Sequence, residues 1–265
     1  MEVVVKEIVV PKNVHRIHLE PLGDIHIGSR LFDRQKFLER LNAIKNDRTR
    51  YWLGMGDYID NIRPYKGGTI DKRWNYSVID REYMTPEEQL TAFVNLVKPI
   101  ANKCLGLLWG NHEWNTIDYD EFNERVCRRL GVPFLGSMAF VQLRIRRQDV
   151  KRTVIIWACH GSYAGMRRGG AVNRLEELSA KYDADIYLHA HTHYKDFFPG
   201  EGYGLDENGN LITWNKMYAL TGTFMRQHVV GIESYHERHP SLRVSRLGTI
   251  TIGIDIETGK LHGFE

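Results

Sequence analysis

The sequence predicts an α/β fold, and three observations carry that prediction. Apolar, strand-like runs alternate with amphipathic helical stretches from residue 16 to residue 188. Five of these apolar runs are followed at once by Asp, Asn or His. After the last of them, helical periodicity gives way to alternating, turn-punctuated segments, so the remainder reads as all-β.

Taken in order, residues 1–10 alternate Val and Ile enough to form an edge strand. Residues 16–22 form the first central strand and deliver Asp24 and His26. Asp33 is placed to cap a helix over 34–46, whose Phe37, Leu38, Leu41 and Ile44 fall on one face. The next strand, 51–55, runs into the turn Gly56-Asp57-Tyr58-Ile59-Asp60 and leaves Asp57 at its carboxyl end. Strand, helix and strand in succession read as a βαβ unit.

Residues 61–84 lack periodicity and hold Gly67-Gly68, Tyr65, Trp74, Tyr76 and Tyr83, which marks a loop insertion beside an active site. Thr85-Pro86-Glu87-Glu88 is a capping box with Pro at the first helical position, opening a helix to about residue 102. A strand at 105–109 and a helix at 120–130, closed by Gly131, come next. Residues 140–146 alternate, turn near Gln148-Asp149, and return as a more apolar strand at 153–158. A helix at 171–181 precedes a strand at 185–188. Asn208-Gly209 marks a hairpin, and 249–256 alternates as a strand. No repeat or linker interrupts the chain, so residues 1–265 read as a single domain.

Composition narrows the function. A 265-residue chain with 42% hydrophobic and 26% charged residues is an ordinary globule with a sizeable core. A net charge of +3 permits anionic substrates without demanding nucleic acid. Cys104, Cys127 and Cys159 lack zinc-type spacing and are odd in number, as expected in a reducing compartment. Glu2 and Lys6 break the N-terminal apolar run, and no run approaches the ~20 residues of a membrane span. The expectation is a cytoplasmic protein with no membrane partner.

The five ligand-bearing segments are Asp24-Ile25-His26, Gly56-Asp57-Tyr58-Ile59-Asp60, Gly110-Asn111-His112-Glu113, His160-Gly161 and Ala190-His191-Thr192-His193. Any one has a plain explanation: Asp24, Asp60 and Asn111 suit turns, and a lone His160 suits a hydrogen-bonded core. Five strand ends gathering carboxylate, amide and imidazole suit a two-metal site, with Asp57 shared between the ions. A ligand set without thiolate suits Mn²⁺, Fe or Zn²⁺, and Mn²⁺ is the expected occupant.

In this order the segments resemble the calcineurin-like metallophosphoesterase superfamily. The resemblance implies two mixed β-sheets packed face to face and flanked by helices, a four-layer α/β/β/α sandwich. It also implies one divalent ion on Asp24, His26, Asp57 and His193 and a second on Asp57, Asn111, His160 and His191. A hydroxide between the ions would attack a phosphate ester, and His112 would act as general acid. One position departs from the family pattern: Ala190 stands where its glycine is expected, and His189 offers a second His-x-His register. We assign His191 and His193 as ligands and His189 as a hydrogen-bonded neighbour or core residue. Asp60 caps its turn or orients a ligand.

Arg167 and Arg168, in a loop after His160, are candidates to clamp a substrate phosphate. Arg144, Arg146, Arg147, Lys151 and Arg152 form either a solvated hairpin face or a nucleic-acid contact. Trp74, Tyr76 and Tyr83 either stack on a base or fill the loop's own core. The functional expectation is a metal-dependent phosphodiesterase acting on a phosphate-ester substrate. A nuclease of the same superfamily and a non-catalytic metal-binding scaffold are the alternatives. Gly161-Ser162 lacks the elbow motif of a serine hydrolase.

Overall fold

The order of the strands follows from which faces of each must be buried. In the computed structural model, β1 (Glu2–Val9) is an edge strand and exposes Val3, Val5 and Val9 on one side. Next come β2 (Arg16–Leu22), α1 (Arg34–Asn46) and β3 (Arg50–Gly54), the expected βαβ unit with β2 and β3 parallel. The two-residue strands β4 (Tyr65–Lys66) and β5 (Thr69–Ile70) pair with each other. Then follow α2 (Pro86–Val97), β6 (Cys104–Leu107), and the single-turn helices α3 (Asn111–Trp114) and α4 (Tyr119–Phe122). The second half holds β7 (Met138–Arg147), β8 (Val150–Cys159), α5 (Arg168–Ser179) and β9 (Ile186–His189). It ends with β10 (Lys195–Leu205), β11 (Leu211–Thr221), α6 (Tyr235–Arg238), β12 (Thr251–Asp255) and β13 (Leu261–Phe264). The structure describes residues 1–61, 78–148, 150–162, 167–238 and 244–265, together with the backbone of β4 and β5.

Two mixed sheets result, one ordered β1-β7-β8-β9-β11-β10 and the other β13-β12-β2-β3-β6. Their inner faces meet in one apolar core. Ile17 and Leu19 of β2, Leu53 of β3 and Ile252 of β12 join Val141 of β7, Ile156 of β8 and Leu188 of β9 there. Side chains alternate across a strand, so the neighbours of these residues point outward and need helices. Trp52 and Leu107 pack with Phe37 and Ile44 of α1 and Phe93 and Val97 of α2. Trp157, Tyr187 and Tyr218 pack with Ala171 and Leu175 of α5. The architecture is therefore helix, sheet, sheet, helix, as the resemblance implied.

Several boundaries move for physical reasons. The capping box forms as read, with Thr85 and Glu88 exchanging side-chain and backbone hydrogen bonds. The α-helix stops at Val97, however, and continues as a 3₁₀ turn over Lys98–Lys103, because Pro99 has no N–H to donate. The helix expected at 120–130 divides into α4 and a wide π-turn over Asn123–Arg128, which buries Val126 and Cys127 together. Gly169-Gly170 enters α5 instead of ending before it. The predicted Asn208-Gly209 turn joins two eleven-residue strands, with Asp206 Oδ1 accepting the N–H groups of Asn208 and Asn210. Of the 61–84 loop, Trp74, Tyr76, Gly67, Gly68 and the Tyr65 side chain lie outside the described residues. Tyr83 packs half-buried against the core beneath α2. Among the described residues no helix is long and apolar enough to cross a membrane.

Leu53 is fully buried between the sheets, one residue from the Gly54 that leads into the ligand turn. Leu53→Ala should lower unfolding stability by about 2–5 kcal/mol. A guanidinium titration followed by circular dichroism would read this as a lower midpoint at constant slope.

Candidate metal centre

Every predicted ligand leaves the carboxyl end of a strand, and the two sheets bring those ends to one seam. β2, β3 and β6 deliver Asp24, His26, Asp57, Asn111 and His112 from one sheet. β8 and β9 deliver His160, His191 and His193 from the other. The turns that carry them are strained. Asp24, His26, Asp57, His191 and His193 have φ of 47°, 57°, 52°, 64° and 59°, in the left-handed region that non-glycine residues avoid.

The strain is held by close packing of turn on turn. Asp24 N donates to Gly56 O (2.9 Å), and Ile25 N donates to Asp57 O (2.8 Å). A Cβ on Gly110 would lie 2.1 Å from Asp57 Oδ1, and one on Gly56 would lie 2.6 Å from Gly110 N. Both positions therefore require glycine. Between these turns sits Glu113, with no solvent exposure. Its Oε2 accepts from Asp57 N (2.9 Å) and Gly110 N (2.8 Å), and its Oε1 from Tyr58 N (2.7 Å) and Ile59 N (3.1 Å). One carboxylate thus binds four backbone donors from two turns.

The ligand atoms fall into groups. Asp24, His26 and His193 form one, and Asp57, His160 and His191 another, each with its atoms within 4.8 Å of one another. Asn111 Oδ1 lies 2.8 Å from His191 Nδ1 and 3.0 Å from His160 Nε2, which places it in the second group. Three hydrogen bonds set the imidazole faces. His26 Nδ1 donates to Asp60 Oδ1 (3.2 Å), His160 Nδ1 to Met55 O (2.8 Å), and His112 Nδ1 to Asp60 O. Each leaves Nε2 turned into the site, so Asp60 orients two histidines at once. A third group, His26, Asp60 and His112, records this overlap.

The residues fit divalent cations on direct grounds. Asp24 Oδ1 is fully buried and makes no hydrogen bond. It lies 3.3 Å from His193 Nε2, which in turn faces His26 Nε2 at 3.2 Å. Two imidazole nitrogens and an unsatisfied carboxylate oxygen converging on one point are a poor protein interior and a good cation site. Proton energetics agree. Burial opposes charge at Asp57, yet the His160 and His112 imidazoles hold its carboxyl well below the usual range. Burial likewise opposes protonation of His160, but Asp57, Asp24 and the Met55 carbonyl together raise it to about 10. Without metal, a proton on His160 compensates the buried carboxylates.

A family model for calcineurin-like phosphoesterase matches residues 22–195, a span that contains all five ligand segments. The chain belongs to the calcineurin-like phosphoesterases. Family membership implies divalent metal ions, and the Asp and His groups are placed to bind them. No curated protein matches the chain. Among solved structures, vacuolar protein sorting 29 from Cryptosporidium parvum is 16% identical, with TM-score 0.45, covering 95% of this chain and 97% of its own. A predicted phosphoesterase from Streptococcus pneumoniae is 12% identical with TM-score 0.36, covering 94% and 97%. Vps29 complexed with zinc from Entamoeba histolytica is 13% identical with TM-score 0.39, covering 94% and 97%.

The other residues singled out in the sequence have contacts of their own, and His189 is the hydrogen-bonded core neighbour expected. His189 is buried, donates from Nδ1 to Ala190 O (2.9 Å), and packs its ring where a Gly161 side chain would otherwise stand. Arg168 Nε donates to Asp196 Oδ2 (2.6 Å), and Arg167 caps α5 without a side-chain hydrogen bond. The basic hairpin is largely engaged within the chain. Arg144 binds Gln142, Arg146 pairs with Glu7, Arg147 with Glu257, and Arg152 reaches the carbonyls of Ile256 and Glu257. Three residues carry no role in the sequence reading. Glu113 was legible as the third residue after the helix-opening Gly110, a capping position. Asn61, with φ 44°, donates from Nδ2 to His112 O (2.9 Å), and His236 lies beside His193; neither has a local signal.

Two outcomes follow. Glu113→Gln retains one acceptor oxygen, leaving two backbone N–H groups facing an amide donor. It should cost about 2–5 kcal/mol of stability and weaken Mn²⁺ binding, read by thermal melting and calorimetric titration. A ligand histidine must be neutral, and His160 is raised from 6.5 to about 10. Its protonated form therefore stabilises the metal-free fold fully below about pH 6.5, and that contribution is lost as pH rises through 10. Metal uptake near pH 7.5 should then release a proton, measured as calorimetric enthalpy that varies with buffer ionisation heat.

Proposed function

We propose that this protein is a dinuclear metal-dependent phosphodiesterase with some monoesterase activity, loaded most readily with Mn²⁺. The observation that carries the reading is the convergence of two ligand groups beside a histidine that belongs to neither. Asp24, His26 and His193 would hold one ion. Asn111, His160 and His191 would hold the other, with Asp57 shared. Ions bound there would supply Lewis-acid stabilisation of the phosphoryl oxygens and a nucleophilic water active near neutral pH.

The chain's own groups account for the rest. His112 N donates to Asp57 Oδ1 (2.9 Å), fixing the histidine against the shared carboxylate. Its Nδ1–H is committed to the Asp60 carbonyl, so any proton delivered to a leaving group comes from Nε2. That Nε2 lies 3.9 Å from Asp57 Oδ2, at the edge of the shared carboxylate, where a proton it carries can pass to an alkoxide leaving group. Asn61 holds the His112 carbonyl and Asp60 the ring, so the acid is oriented from both ends. The side chain is 12% exposed, open enough to meet a substrate at the seam.

The test uses metal-stripped protein reloaded with Mn²⁺ and assayed on bis-(p-nitrophenyl) phosphate and p-nitrophenyl phosphate. Diester turnover should exceed monoester turnover and vanish in Asp57→Asn. His112→Asn should cost about 10²–10⁴-fold for an alkyl leaving group and much less for p-nitrophenolate, which leaves unprotonated. Equal losses on both leaving groups would remove His112 from the acid role. Absence of turnover in protein that binds two ions would favour a binding scaffold instead.

A further inference from the structure

Successive imidazole contacts run across the centre and continue past the five ligand segments. His112 packs edge-on against His26, with ring centroids 4.7 Å apart. His26 lies 5.1 Å from His193, and His193 lies 6.4 Å from His236 of α6 at an interplanar angle of 31°. His112 and His236 therefore flank the His26–His193 pair, each beside one member. The Tyr235 ring stands 6.3 Å from that of His236 at 89°, and Tyr235 is 52% exposed. An imidazole and a half-exposed aromatic ring thus lie next to His193, whereas the expected acid lies next to His26.

The segment that carries them is fixed, not merely nearby. Ser234 is fully buried; its Oγ donates to Gln227 O and accepts from Glu237 N (3.1 Å), while Ser234 N donates to Glu237 Oε2 (3.2 Å). Gln227 is buried and its Oε1 accepts from Ser245 N (2.6 Å). Upstream, Phe224 N and Thr223 Oγ1 both donate to Asp24 O, at 3.0 and 2.9 Å. The chain leaving β11 is thus bonded to a ligand residue before it reaches α6.

From this placement we propose that His236 and Tyr235 form the subsite for the non-leaving substituent of a phosphodiester, with a preference for an aromatic one. The inference rests on the phosphodiesterase reading. If the leaving group departs toward His112, the second ester arm extends toward His193 and meets His236, with Tyr235 as a stacking surface. A planar ring on that arm gains the contact; a methyl group is too small to reach it.

Three esters sharing p-nitrophenolate as leaving group isolate the second arm: p-nitrophenyl phosphate, methyl p-nitrophenyl phosphate and bis-(p-nitrophenyl) phosphate. Mn²⁺-loaded protein should prefer the diaryl over the methyl diester. His236→Ala and Tyr235→Ala should each reduce that preference in kcat/KM by about tenfold, mainly through KM. Tyr235→Phe, which keeps the ring, should retain it. A preference unchanged in both alanine variants, at native melting temperature, overturns the proposal, as does a wild-type protein without the preference. Calorimetric binding of phenyl phosphate against methyl phosphate gives a readout that needs no turnover. A phenyl advantage lost in Tyr235→Ala supports the subsite even if no ester is hydrolysed, in which case the hydrolase reading alone fails. No phenyl advantage in wild-type protein removes the subsite whatever the activity.

Discussion

The centre depends on one buried carboxylate. Glu113 accepts four backbone N–H groups, three from the turn after β3 and one from the turn after β6. Burial and the nearby Asp57 charge raise its pKa, so ionisation there is opposed and the backbone donors are what favour it. In return the two glycine turns are held closer than any side chain would allow. That spacing brings Asp57 and Asn111 to the same seam and sets His112 N on Asp57 Oδ1.

The same economy appears at each ligand. Left-handed backbone at Asp24, His26, Asp57, His191 and His193 is unfavourable locally, and at the first four of these, hydrogen bonds between turns of different strands maintain it. His191 N donates to Asp24 Oδ2 (3.0 Å), a bond that joins the two sheets at the site. Strained turns thereby point their side chains at one volume. The inter-sheet core supplies the rigidity that keeps them there.

Electrostatics then make the volume attractive to cations. Asp24 and Asp57 are essentially unexposed, and the close ion-pair partners shown for them are imidazoles. Two buried carboxylates facing neutral bases are unfavourable unless a proton or a metal enters. The raised His160 and the unsatisfied Asp24 oxygen are two expressions of that single deficit.

The sequence by itself determined which side chains are candidates to bind metal and most of the elements. Asp, Asn and His at strand ends are local signals, as are the capping box at Thr85, the helix starting after Asp33 and the hairpin at Asn208-Gly209. Periodicity and turn chemistry act over a few residues, so they can be read without the fold. The division of strands into two sheets, the four-donor role of Glu113 and the approach of Asn61 and His236 could not be read that way. Glu113 lies 56 residues from Asp57 N, and Asn61 lies 51 from the His112 carbonyl it binds. The left-handed turns were equally hidden, because Asp and His carry no intrinsic preference strong enough to announce them. Only the packing of one sheet on the other brings these groups together, and that long-range burial decides what local sequence leaves open.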